Sequence, residues 1–214
     1  MEESLLIKVC GMREPENIRA LFQLEPDFIG FIFYSGSPRY AGDSINEIKP
    51  VISSSPAKKV GVFVNESIEQ LKRISDILSL DRIQLHGDES PEYCELLYNE
   101  GHKIIRAFRL DAEFDFKQTE AYVPFCRMFL FDTSTPTFGG SGEKFDWNLL
   151  QRYTGEIPFL LGGGIAPTDA GKIKSFNHPA FAGIDLNSRF EKSPGVKDIT
   201  MLETFIHQIK SPGE

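Results

Sequence analysis

The chain has 214 residues, 41% of them hydrophobic and 25% charged, with a formal net charge of −8. That size suits a single domain over residues 1–214 with a substantial core. The acidic balance argues against a nucleic-acid partner, and no apolar run is long enough to cross a membrane. Three cysteines, Cys10, Cys94 and Cys126, lack metal-type spacing. An odd, low count argues against a disulfide framework or a zinc site and for a reducing, cytoplasmic compartment. The N-terminal Met1-Glu-Glu-Ser lacks the basic start of a signal peptide.

Leu5 to Cys10 reads as a first buried strand, broken by Gly11. Pro15 fits the first turn of a helix whose face carries Ile18, Leu21 and Phe22. Asp27 to Phe33 is a second strand, closed by the turn Ser35-Gly-Ser-Pro-Arg39. Asp43 or Ser44 is placed to cap a helix ending near Ile52. Lys58 to Val64 is the third strand, after which Asn65 is expected to cap a helix from Glu66 to Leu78. The fourth strand, Asp81 to Leu85, ends at His86-Gly87. Ser90-Pro91 then opens a helix that Gly101 stops. Lys103 to Phe108 is the fifth strand. Leu110 to Pro124 has little periodicity and reads as a weak helix or an irregular crossover. Arg127 to Phe131 is the sixth strand. Asp132, a Thr/Ser/Gly stretch and a helix from Asp146 to Tyr153 come next. Ile157 to Leu161 is the seventh, followed by Gly162-Gly-Gly164 and a helix from about Asp169 to Phe176. Phe181 to Asp185 is the eighth. Pro194-Gly-Val-Lys-Asp198 leads into a last helix with Leu202, Phe205, Ile206 and Ile209 inward, and residues 211–214 read as a frayed tail.

Strands that alternate with helices imply βαβ units and a parallel sheet. Eight units fit a (β/α)8 TIM barrel, an α/β fold. An open doubly wound sheet is the alternative, but no GxGxxG follows the first strand. In a barrel the catalytic groups come from several strand ends at one mouth. Here those ends carry Cys10, Arg39, His86, Asp132, Gly162 to Gly164 and Asp185. Each has a plainer reading: Cys10 as a small buried hydrophobe, Arg39 as a surface cation, His86 as a structural histidine, Asp132 as a turn residue and Asp185 as a strand-end cap. Lys8 shares the pleat face of Cys10, so an inward Lys8 needs a carboxylate, for which Asp185 is the candidate. The glycine run with Thr168-Asp169 behind it is the best phosphate candidate, because backbone N–H groups attract dianions. Asp185 to Glu191 supplies the second loop of that site.

Taken together, Lys8-Val-Cys-Gly11, Gly30-Phe-Ile-Phe33, Ser37-Pro-Arg39, Gly61-Val-Phe-Val-Asn65, Gln84-Leu-His-Gly87, Asp132 with Gly139-Gly-Ser-Gly142 and Phe145-Asp-Trp147, Gly162-Gly-Gly164 and Pro194-Gly-Val-Lys-Asp198 resemble the phosphoribosylanthranilate isomerase family of tryptophan biosynthesis. The resemblance spans about residues 5 to 210. It implies a cofactor-independent Amadori rearrangement with no metal and a small phosphorylated substrate. By the resemblance, Asp132 is the general acid, Cys10 the general base and Arg39 the clamp for the anthranilate carboxylate. Gly163 and Gly164, with the loop carrying Asp185, Asn187 and Ser188, hold the phosphate, and His86 belongs to the substrate-binding set. The base must lose its proton near working pH, so the Cys10 pKa is expected to be lowered. The family also carries an irregular segment in place of the fifth helix, which suits Leu110 to Pro124.

The chain departs from the family after the eighth strand. Asn187 stands where a serine is usual and Arg189 where a glycine is usual. Arg189 either adds charge to the phosphate site or blocks a backbone conformation that glycine allows. Two rivals remain: a histidine-pathway ProFAR isomerase, which resembles this family but uses an aspartate as its strand-one base, and a barrel that binds phosphosugars without turnover. Cys10, Asp132 and Arg39 together favour the tryptophan-pathway reaction. Thr133 to Lys144 has the composition of a lid. A monomer or a homodimer fits equally well.

Overall fold

A computed structural model describes residues 5–133 and 146–211. All of the expected lid but Thr133, with Gly139–Gly142 in it, Phe145 and nearly all of the expected tail fall outside them. Eight parallel strands pair in chain order, and the eighth returns to the first to close a barrel. They are β1 (Leu6–Val9), β2 (Phe28–Ile32), β3 (Lys58–Phe63), β4 (Arg82–Leu85), β5 (Ile104–Leu110), β6 (Cys126–Thr133), β7 (Phe159–Leu161) and β8 (Phe181–Leu186). The helices α1 (Pro15–Phe22), α2 (Ile45–Ile52), α3 (Ile68–Leu78), α4 (Pro91–Asn99), α5 (Ala170–Ser175) and α6 (Ile199–Lys210) lie between or after them. No described helix is long and apolar enough to cross a membrane.

Side chains alternate between two apolar layers, as the period of a strand requires. Phe28, Val60, Ile105, Ala107, Met128, Leu130 and Leu160 form the inner cluster. Their strand neighbours, such as Ile29, Ile104, Phe129, Phe131 and Leu161, belong to the larger cluster shared with the helices. The same alternation turns Lys8 and Asp185 toward each other. The register pairs them directly across the closing seam.

Several local expectations need correction. The N-cap of α3 is Ser67, whose hydroxyl accepts from the Gln70 amide at 3.3 Å. Asn65 instead adopts φ 49°, and its Oδ1 accepts from the Asp88 amide at 2.7 Å, tying the loop after β3 to the loop after β4. A 3-10 turn over Gly42–Ser44 leads into α2, and neither Asp43 nor Ser44 caps it through its side chain. The segment from Trp147 to Arg152 is 3-10 rather than α-helical, with the Asp146 side chain accepting from the Asn148 amide. A short hairpin, β9 (Glu191–Ser193) with β10 (Val196–Lys197), precedes α6. The sequence carries no alternating apolar run there to announce it.

The segment after β5 is the irregular crossover, with 3-10 turns over Phe116–Tyr122. It covers the sheet with rings instead of a helix face. Phe116 lies 5.6 Å from Phe131, and Tyr122 lies 5.4 Å from Phe108. Edge-to-face pairs of this kind add about 0.5–1.5 kcal/mol each beyond burial.

Candidate functional site at the barrel mouth

All eight strands run in parallel, so their carboxyl ends share one rim. Cys10 follows β1, Arg39 lies in the loop after β2, and His86 follows β4. Asp132 is the penultimate residue of β6, Gly162–Gly164 follow β7, and Asp185 lies in β8. The residues expected at the mouth are therefore brought to one end of the barrel.

Cys10 is 3% exposed. A Cβ on Gly30 would stand 2.8 Å from its sulfur, so the missing side chain on β2 makes room for the thiol. Lys8 is fully buried, and its Nζ lies 2.9 Å from Asp185 Oδ1, the pairing expected from the pleat. Burial works against the Lys8 ammonium, but Asp185 and Cys10 outweigh it and hold its pKa above the usual lysine value. Burial pushes Asp185 up, with Lys8 opposing. The expected lowering at Cys10 is corrected: burial raises the thiol, and the neighbouring Lys8 ammonium only partly offsets it. Desolvation penalises a thiolate enclosed by strand backbones more than one buried cation relieves it.

Asp132 is held at both oxygens. Oδ1 accepts from the Thr133 amide at 2.8 Å, and Oδ2 lies 3.2 Å from His86 Nε2. The Gln84 side-chain amide nitrogen lies 2.9 Å from His86 Nδ1. His86, expected in the substrate-binding set, lies beside Asp132. Its backbone is clamped on both sides. Arg106 donates through Nη1 to the Leu85 carbonyl at 3.0 Å and through Nη2 to the Gly87 carbonyl at 3.1 Å. Glu89 accepts from the Gly87 and Asn65 amides at 2.9 and 2.8 Å and lies 3.5 Å from Arg106. Sequence reasoning missed Arg106 and Glu89. The available signal was an arginine inside the apolar run Ile104–Leu110, since a buried charge needs a partner.

Asp185 pairs with Lys8, and its charge is also felt by Asp132, His86 and Cys10. Its carboxylate is engaged by Lys8 through Oδ1.

Arg39 is 7% exposed, which sets aside its plainer reading as a surface cation. Its guanidinium already makes a two-armed ion pair with Glu191, with Nη2 to Oε2 at 2.7 Å and Nε to Oε1 at 2.9 Å. Lys197 Nζ lies 2.6 Å from Glu191 Oε1 and 2.7 Å from Asn187 Oδ1. Burial alone would raise Glu191, but Arg39 and Lys197 outweigh it and hold its carboxyl below the usual glutamate range. Burial pulls the Lys197 ammonium down despite Glu191. The Asn187 side-chain oxygen is therefore engaged by Lys197. Glu191 and Lys197 both lay inside quoted motifs, but their partnership joins separate turns of chain and was not legible there.

Gly163 and Gly164 adopt φ of 79° and 70°, a backbone region that favours glycine. Among the described residues no acceptor meets their N–H groups. Ser188 begins a 3-10 turn through Phe190. Arg189 is exposed and has no positive φ, so the arginine in the glycine position meets no left-handed backbone.

Residues 7–208 match the family model described as N-(5'phosphoribosyl)anthranilate (PRA) isomerase. The chain is 50% identical over 210 residues to an N-(5'-phosphoribosyl)anthranilate isomerase of Parabacteroides distasonis, covering 97% of this chain and 95% of that one. Its fold is similar to that of the crystal structure of phosphoribosyl anthranilate isomerase from Thermus thermophilus, with a TM-score of 0.83, 26% identity, and coverage of 96% and 98%. It is also similar to a phosphoribosyl anthranilate isomerase solved with reduced 1-(o-carboxyphenylamino)-1-deoxyribulose 5-phosphate, with a TM-score of 0.78, 27% identity, and coverage of 96% and 98%.

Proposed function

The chain belongs to the N-(5'-phosphoribosyl)anthranilate isomerase family, and on that premise we propose that Cys10 and Asp132 carry the two proton transfers of its reaction. The reaction is an Amadori rearrangement in tryptophan biosynthesis. It turns N-(5-phosphoribosyl)anthranilate into 1-(2-carboxyphenylamino)-1-deoxyribulose 5-phosphate. The observation that carries the assignment of roles is the rim itself: a buried thiol just after β1 and a carboxylate at the end of β6, both at the carboxyl ends of the closed barrel's strands.

Asp132 gives a proton to the ribose ring oxygen, and the C1–O bond breaks as the nitrogen lone pair forms an iminium. The Cys10 thiolate then takes the C2 proton, and the C–H electron pair moves to give the enolamine. Tautomerisation to the ketone completes the isomerisation without net gain or loss of atoms or electrons. Opposed proton tasks require two groups in different surroundings. Here Cys10 faces buried cations, while Asp132 faces a histidine and a backbone amide. Arg39 serves the substrate carboxylate. The N–H groups of Gly163 and Gly164 and the Ser188 turn serve the phosphate. We place the enzyme in the cytoplasm, as a monomer or homodimer.

Turnover of phosphoribosylanthranilate, followed by loss of its fluorescence, tests the reading. Wild type is expected to be active, with Cys10→Ser and Asp132→Asn each at least ~100-fold slower in kcat, the scale of lost acid–base catalysis. Binding of the reduced product analogue without turnover by wild type would establish a binding barrel instead.

A further inference from the structure

Glu191 takes three hydrogen bonds from Arg39, two from Nε at 2.9 and 3.0 Å and one from Nη2 at 2.7 Å. It takes two more, from Lys197 Nζ at 2.6 Å and from the Gly195 amide at 3.1 Å. Its side chain is 4% exposed. Among the described residues, Arg39 Nη1 makes no hydrogen bond. A guanidinium carries five N–H donors in a rigid plane and binds a carboxylate along one edge at a time. Glu191 holds the Nε–Nη2 edge. The Nη1–Nη2 edge remains, with the shape and charge for a second carboxylate.

A substrate carboxylate could in principle displace Glu191, but that would strand a buried anion with fewer donors. Breaking one side of a buried ion pair is strongly unfavourable. Addition at the second edge leaves every existing bond in place. A long arginine side chain normally surrenders rotamer freedom when it binds. Glu191, itself anchored by the β9–β10 hairpin through Gly195 and Lys197, has already removed that freedom.

Resting on the reaction proposed above, we propose that Glu191 is the positioning residue that makes the enzyme specific for a carboxylated aryl group. It fixes one edge of Arg39 so that the other edge meets the substrate carboxylate without reorganisation. Glu191 touches no reacting atom, so its effect falls on recognition of the carboxylate and on KM, with kcat much less changed.

The test compares two ligands, the reduced product analogue and the same molecule with hydrogen in place of the ring carboxylate. Each is titrated into wild type, Glu191→Gln and Glu191→Asp, with folding checked by circular dichroism. Wild type is expected to favour the carboxylated ligand by roughly 10- to 100-fold, the scale of a charge-assisted hydrogen-bonded pair. In the glutamine variant that preference falls below ~3-fold, while affinity for the other ligand stays within ~2-fold. The aspartate variant keeps the charge but is one methylene short, and its preference lies between the two. It carries the test alone if the glutamine variant does not fold. Folded variants that keep the wild-type preference overturn the proposal. So do variants that weaken both ligands equally, because that marks a purely structural pair. Wild type that binds neither ligand overturns the assigned reaction and this proposal with it. Wild type that discriminates while the variants do so equally overturns only the role of Glu191.

Discussion

At the scale of single residues, the mouth shows how far a side chain's chemistry depends on its neighbours. Cys10, His86 and Asp132 were legible because each follows an apolar run at a strand end, and Arg39 because it closes the turn after the second strand. Their surroundings were not. The thiol illustrates the difference: its role demands a thiolate, yet burial raises its pKa and Lys8 only partly restores it. The sign of the pH dependence follows. A base works when deprotonated, so kcat/KM should rise with pH through the Cys10 pKa, with that limb above the ~8.5 of an ordinary thiol. Lys8→Met removes the cation that favours the thiolate and should move the limb to still higher pH. Profiles of kcat/KM for the two proteins check this. A limb that stays in place, or moves to lower pH, would count against Lys8 as the thiol's partner.

At the scale of elements, the turns between strands and helices carried the errors. Asn65 and Ser67 are both good capping residues two positions apart, and local propensity does not choose between them. The choice was made by the Asp88 amide, which captures Asn65 from another loop. The crossover after β5 forms 3-10 turns rather than an α-helix, and its rings at Phe114, Phe116 and Tyr122 pack on Phe108 and Phe131 of the sheet. Phe114 and Phe116 stand two apart, which does not suit one helix face. The end of α3 offers a test of backbone chemistry alone. Ser79 is exposed there and sits in the left-handed region at φ 49°. Ser79→Gly should raise stability by up to about 1 kcal/mol, since glycine carries no Cβ penalty in that conformation. Urea midpoints would show it, and an unchanged or lower midpoint would mean the serine is not strained.

At the scale of the whole molecule, closure of the barrel decides whether any site exists. The seam between β1 and β8 pairs Leu6 with Gly183 and Lys8 with Asp185. A Cβ on Gly183 would run into the Leu6 carbonyl oxygen, a backbone atom that cannot turn aside. Gly183→Ala should therefore cost about 3 kcal/mol or more, at the upper end of overpacking effects. Chemical denaturation measures that loss, and a cost below ~1 kcal/mol would mean the seam yields easily.

By itself the sequence determined the eight strand–helix units and most of the polar groups at their ends. Those signals are local: period-two alternation, helical spacing, and breakers at the ends of apolar runs. It also pointed to Lys8 and Asp185 as partners, because a strand's pleat and a closed barrel's seam follow from order along the chain. Only the tertiary structure decided the partnership of Arg39 with Glu191, 152 positions apart, and the hold of Lys197 on Asn187. It alone turned His86 toward the acid and raised the Cys10 pKa. Hydrogen bonds and desolvation act over a few ångströms of space, and a chain of residues carries no such distances until it has closed on itself.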